Sequence, residues 1–311
     1  MYFLGITWNP DKALFDLGSF QLRYYSLMFV IAFSLGWYLM KRIFLKEKQP
    51  IERLDTLFIY MVLAILIGAR LGHVFFYDWA YYKDHLSEII LPFRFSPEFK
   101  FTGFTGLASH GAAIGAIFAM YLYQRKYPDI SLSWILDRVV IPVACGGIFV
   151  RLGNFMNSEI NGKVVEASHP FGVRFLQDEI SEREALSITG ENSVSEAYDL
   201  IAADPGYAEV LNSIPFRHPA QLYEAFFYIF VFLLLWFIYW KTNKSEKPWF
   251  LFGTYLVSLW SVRFMVEFVK ESQGGFESSL GNMLTTGQWL SIPFIVLGLY
   301  LIFKPKPSTV S

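Results

Sequence analysis

Arg151, Asn154, Asn157, Glu159 and Asn161 crowd into the stretch RLGNFMNSEING. The run just before it, WILDRVVIPVACGGIFV, is apolar enough to sit in lipid. Arg151, Asn154 and Asn157 are spaced by three, as on one face of a helix. A guanidinium is planar and permanently charged, and it matches a phosphate through two parallel N–H bonds. Carboxamides bind phosphate or hydroxyl oxygens, and Gly153 and Gly162 permit the turns around Glu159. More hydrogen-bonding groups gather here than a helix cap needs, so the stretch reads as a ligand site.

Three further places put polar groups inside apolar runs. A central arginine costs about 2.5–3.5 kcal/mol on membrane-insertion scales, so such residues usually mark function or a specific pairing. In IGARLGHVFFY, Arg70, His73 and Tyr77 share a helix face, and Gly68 and Gly72 allow a second helix to approach closely. A polar seam between helices explains that pattern as well as a ligand role does. In SHGAAIG, His110 opens a helix whose free N–H groups suit an anion, although an interfacial histidine gives the same pattern. In SVRFMVEFVKES, Arg263 and Glu267 lie four apart and can pair, which accounts for the carboxylate but leaves guanidinium donors to spare. With arginines toward one side of the membrane, the chemistry that fits is recognition of a phospholipid headgroup.

These residues need helices to hold them. A span takes about 20 mostly apolar residues. Seven runs qualify, at roughly 22–42, 55–76, 105–123, 133–150, 220–240, 249–269 and 287–303. The expected fold is therefore an all-α polytopic membrane protein of about seven transmembrane helices. Lys41, Arg42, Lys46, Lys48, Arg53, Arg125, Lys126, Lys241, Lys244, Lys247, Lys304 and Lys306 all fall on one side of such a seven-span chain. Basic loops stay cytoplasmic, which sets the N-terminus outside and the C-terminus inside. A small, acidic extracytoplasmic domain then lies between spans four and five. Its GKVVEASHPFGVRFL suggests a short strand or two, and SVSEAYDLIAADPGYAEVL a helix with a serine cap. The chain divides into a membrane region over 1–150, a head segment with the polar stretch over 151–219, and a second membrane region over 220–311.

Composition agrees. The 311 residues are 54% hydrophobic, 19% aromatic and 17% charged, against about 25% charged for soluble domains. A formal net charge of −1 offers no basic field for nucleic acid. The single Cys145 excludes an intrachain disulfide and sits in an apolar run where a thiol is inert. The N-terminus lacks a basic region followed by an apolar core, so no cleavable signal peptide is expected there.

The stretch RLGNFMNSEING resembles the signature of the prolipoprotein diacylglyceryl transferase family, R-x-G-N-F-x-N-x-E-x-x-G, with Arg151, Gly153, Asn154, Phe155, Asn157, Glu159 and Gly162 in register. YYSLMF at Tyr25, GARLGHVFFY, SHGAAIG, RHPAQLYEA, RFMVEF and GQWLSIP are similar to the family's other blocks, in the same order. The chain departs from the family at Ala112, where a second glycine is usual after His110, and at Val150, where glycine commonly precedes the arginine. The resemblance implies an enzyme of the bacterial cytoplasmic membrane. Such an enzyme moves the diacylglyceryl group of phosphatidylglycerol onto the lipobox cysteine of a prolipoprotein signal peptide, forming a thioether and releasing glycerol phosphate. It implies no metal and no cofactor, with membrane lipids as the surroundings. It points to His110 as base and to Arg151 and Arg263 at the phosphate. Asn154, Asn157, Glu159, Gly162, Tyr25, Arg70 and Glu267 then become candidate substrate-binding residues. From a free histidine, deprotonating a free thiol is uphill by about 2.7 kcal/mol, so neighbouring cations must help. The rival reading is a transporter or flippase for an anionic lipid or solute, which would also need polar residues toward the inner leaflet. There only Asp137 and Arg138 stand out.

Overall fold

The computed structural model describes residues 5–16, 21–91, 93–94, 99–101, 106–271 and 283–304. Lys306 and the predicted start of the third span at 105 lie outside the described residues. In chain order the elements that matter for the site begin with strand β1 (Ile6–Trp8) and a hairpin of β2 (Ala13–Asp16) and β3 (Gln21–Arg23). Helices α1 (Tyr24–Lys46), α2 (Ile51–Phe76), α3 (Ser109–Lys126) and α4 (Leu132–Met156) follow. Then come β4 (Val164–Val165), β5 (Val173–Phe175), α5 (Glu182–Thr189), α6 (Val194–Ala203) and β6 (Phe216–Arg217). Helices α7 (Ala220–Lys241), α8 (Phe250–Val266) and α9 (Thr286–Phe303) complete the chain.

A helix stands at each predicted span. Five of them, α1, α2, α4, α7 and α9, are long and apolar enough to cross a membrane, so the chain is a multi-pass membrane protein. Helix α8 is apolar but only 17 residues long. Helix α3 starts later than expected and runs on into Arg125 and Lys126, which dilutes its apolar character.

Residues 37–138 pack as one unit. Its centre is the antiparallel pair α2 and α3, which meet on glycine. A Cβ on Gly111 would stand 2.7 Å from the Gly72 Cα, so only glycines let the backbones close this far. The Ala108 amide donates to the Ala69 carbonyl at 2.9 Å across the same seam. Gly111→Val is expected to destabilise this unit by about 1–3 kcal/mol, read as an earlier thermal transition in detergent.

The second unit joins the residues up to Gly36 with those from Val139 onward. Residues 162–217 form a small mixed head segment around a four-stranded sheet of order β1-β5-β6-β4. Strand β1 pairs parallel to β5, with Ile6 opposite Val173 and Trp8 opposite Phe175. The helices cover a separate apolar cluster of Leu176, Ile180, Ala185, Ala197, Tyr198, Ile201 and Ile214. Ser181 and Glu184 form a reciprocal capping box at the start of α5, and Gly190 ends it with φ 75°. The expected serine-capped helix is real at Ser193, but it stops at Ala203. Asp204 and Pro205 break it into a 3₁₀ turn and a short second helix, Ala208–Ser213, because proline cannot continue the ladder. The two expected strands are β4 and β5. Helices α8 and α9 pack antiparallel, with Gly253 against Gly298.

Candidate active site

Helix α4 runs through Arg151 to Met156, so its last turns, rather than a loop, carry the first polar residues. The Arg151 Nε meets Glu224 Oε2 at 2.5 Å, and its Nη1 donates to Asn154 Oδ1 at 3.1 Å. Asn154, buried, passes the contact on: its Nδ2 donates to Glu159 Oε1 at 2.6 Å. Tyr25 on α1 hydrogen-bonds Asn154 and lies within electrostatic reach of Glu159 and Arg151. Gly153 makes room for it, since a Cβ there would lie 2.8 Å from the tyrosine ring. Asn157 is half-buried, and its amide donates to the Gly153 carbonyl at 3.0 Å.

The chain then turns sharply. Ser158 and Ile160 hold φ of 56° and 65°, a left-handed conformation that costs a β-branched residue energy and persists only where neighbours enforce it. The buried Gln221 is that neighbour. Its Nε2 donates to the Glu159 carbonyl and to Asn161 Oδ1, both at 2.6 Å. Asn161 Nδ2 donates in turn to the Ser158 carbonyl at 3.0 Å and to Asp178 Oδ2 at 2.7 Å. Gly162 closes the turn, its amide donating to the His218 carbonyl at 2.8 Å and its backbone bridging to Lys270.

Arg263 on α8 joins the same cluster. Tyr228, one turn beyond Glu224 on α7, hydrogen-bonds Arg151 and lies within electrostatic reach of both Arg151 and Arg263. Tyr255 lies in reach of Arg263 and Tyr228. Arg263 itself stacks over Trp260, 5.3 Å from the ring centre, and makes no ion pair among the described residues. The pairing expected between Arg263 and Glu267 is replaced by another: Glu267 faces Lys270, Nζ to Oε2 at 3.8 Å. The Glu267 carboxylate also lies against Gly287 in the first turn of α9, where a Cβ would come within 2.5 Å of its carboxyl carbon. Lys270 is buried beside Glu224, Glu267, Arg263 and Arg151. Burial pushes its ammonium below the ordinary lysine range, the two carboxylates opposing the shift and the two arginines adding to it.

The other predicted residues belong to the first unit. His110 occupies the first turn of α3 and is exposed. Arg70 is buried, donates from Nε to the Ile89 carbonyl at 3.0 Å and from Nη2 to the Glu88 carbonyl at 2.6 Å, and lies over the Tyr82 ring. Those contacts fasten the segment after α2, as a polar seam would. His73 and Tyr77 stack with centroids 6.0 Å apart, as their shared face predicts. Gln221 and Glu224 enter the sequence reading only within the block RHPAQLYEA, and Tyr228, Tyr255 and Lys270 do not enter it. The spacing of four between Glu224 and Tyr228 was the available signal.

Two guanidinium groups from separate helices lie within reach of one tyrosine, and a carboxylate and a carboxamide hold that of Arg151. Comparisons with known proteins show the family. The family model for prolipoprotein diacylglyceryl transferase matches residues 12–304. A phosphatidylglycerol–prolipoprotein diacylglyceryl transferase of Bacteroides fragilis is 37% identical over 302 residues, covering 96% of this chain and 95% of the relative. The protein of the same name from Tolumonas auensis is 36% identical, over 96% of each chain. That of Porphyromonas gingivalis is 33% identical, over 96% of this chain and 94% of its own.

Proposed function

The chain belongs to the prolipoprotein diacylglyceryl transferase family, and from that membership we propose how its own residues divide the work. The protein is a membrane transferase that moves the diacylglyceryl group of phosphatidylglycerol onto a prolipoprotein cysteine. The thiol loses its proton and the sulfur attacks the glyceryl carbon that carries the phosphate oxygen. That C–O bond breaks, its electron pair stays on the phosphate oxygen, and glycerol phosphate leaves behind a thioether. The chain's one thiol, Cys145, is buried and makes none of the cluster's contacts, and direct attack by the substrate thiol is the simplest route.

In this reading Arg151 and Arg263 hold the phosphate and stabilise the charge that gathers on it. Asn154 and Asn157 bind phosphate or glycerol oxygens. Tyr25 and Glu159 orient Arg151, Glu267 accepts from headgroup hydroxyls, and Gly162 fixes the turn. Arg70 fastens the segment after α2, and His110 takes the thiol proton. The observation that carries the reading is the shared Tyr228, which brings guanidinium groups from α4 and α8 to one place. The site faces outward in a seven-span arrangement in the bacterial inner membrane. Residues 151–219 form the extracytoplasmic head, 1–150 and 220–311 are the membrane regions, the N-terminus is outside and the C-terminus cytoplasmic. The peptide partner is the lipobox segment of a prolipoprotein. No observation favours a transporter.

The test is to incubate membranes holding the protein with phosphatidylglycerol and a lipobox peptide and to weigh the peptide. A gain equal to the diacylglyceryl group on cysteine supports the reading, and an unmodified peptide rejects it. His110→Asn is expected to slow transfer about 100-fold near neutral pH, the usual worth of a general base. Raising the pH supplies thiolate from solvent, so the deficit should shrink. A deficit that stays constant with pH would leave His110 without a base role.

A further inference from the structure

Glu267 stands four residues after Arg263, the spacing at which a helix joins a carboxylate to a guanidinium, yet it turns away. Its carboxylate lies instead against Gly287 in the first turn of α9 and faces the Lys270 ammonium at 3.8 Å. A helix N-terminus and a buried cation both stabilise a carboxylate, and here they act together. Arg263 is left with an aromatic stack and no carboxylate among the described residues. We propose that Lys270 is a positioning residue: it keeps Glu267 on itself and on the start of α9, so that Arg263 stays free for the phosphate of the lipid. This rests on the phosphatidylglycerol reading above and assigns to Lys270 a role in binding that substrate.

Lys270 is held for this task from two sides. Its backbone bridges to Gly162 at the close of the polar turn, and its side chain is buried among the groups it must sort. Without its charge, Glu267 loses one of its two attractions, and the i,i+4 pair with Arg263 becomes the nearest replacement. Arg263 would then meet an incoming phosphate already neutralised.

A double-mutant cycle read by lipid binding tests this without depending on turnover. The dissociation constant of a short-chain phosphatidylglycerol is measured in detergent for the wild type, Lys270→Gln, Glu267→Gln and the double variant. Lys270→Gln is expected to weaken binding about tenfold in the wild-type background and hardly at all in the Glu267→Gln background, because the misdirected carboxylate is then absent. Lys270→Arg, which keeps the charge, is expected to bind as the wild type does. Equal losses in both backgrounds, or a Lys270→Arg variant as weak as Lys270→Gln, overturn the positioning role. A wild-type protein that does not bind phosphatidylglycerol overturns the substrate reading and this inference with it.

Discussion

Arg151→Ala is expected to lower transfer of the diacylglyceryl group at least about 100-fold, the order seen when one preorganised donor to a developing oxyanion is removed. The protein should still insert into membranes, since none of the apolar helices depends on this side chain for its length or hydropathy. Arg151 has more N–H groups than its partners Glu224, Asn154 and Tyr228 use, and those left over are what a phosphate would take. A second effect must be separated from the first. The alanine leaves Glu224 buried without its cation, and breaking a buried pair from one side costs about 3–5 kcal/mol. Arg151→Ala combined with Glu224→Gln removes that penalty, so thermal stability should recover while transfer does not. Near-normal transfer in either variant, measured by labelled lipid on a lipobox peptide, would reject Arg151 as a phosphate ligand. Arg151→Lys should also be poor, because an ammonium keeps the charge but loses the planar fork that meets Glu224 and Asn154 together.

Gly162→Ala should be nearly as damaging, though alanine adds one carbon and no charge. That carbon would stand 2.6 Å from the His218 Cβ and 2.6 Å from the Val269 carbonyl oxygen, both on fixed backbone. Something must shift, and the turn that carries Glu159 lies on one side while Lys270 lies on the other. A displacement of reacting groups by about 1 Å can cost 100-fold in rate, so a loss of that order is expected. The measurement is again transfer to the peptide, with circular dichroism to establish that the helices remain. Full activity would show that the turn tolerates movement and that Glu159 need not be held where it is.

Much of this was visible in the chain itself. Seven apolar runs gave seven helices because length and hydropathy are local properties, and the crowd of amides after Arg151 stood out against lipid-like surroundings. What stayed hidden depended on distance. Glu224 and Tyr228 lie in a run of aromatics, where a tyrosine reads as interfacial decoration. Lys270 follows a span, where a lysine reads as an ordinary flanking charge. The exchange of partners at Glu267 also escaped, because the choice between Arg263 and Lys270 is decided by α9, which comes later in the chain. The head helix broke at Pro205, which local chemistry could have supplied, whereas the pairing of β1 with β5 spans more than a hundred residues and no local pattern announces it.

That pairing fixes a parity. Two strands cannot share a ladder through a bilayer, so Ile6–Trp8 and Val173–Phe175 lie on the same side of it, and the chain between them must cross an even number of times. Three helices in that interval, α1, α2 and α4, satisfy the length and hydropathy of a crossing. The seven-span arrangement proposed above meets that parity with α3, the helix whose sequence is least greasy, as the fourth traverse. A reporter fused at the first residue and one inserted in the head would accordingly always give the same sidedness.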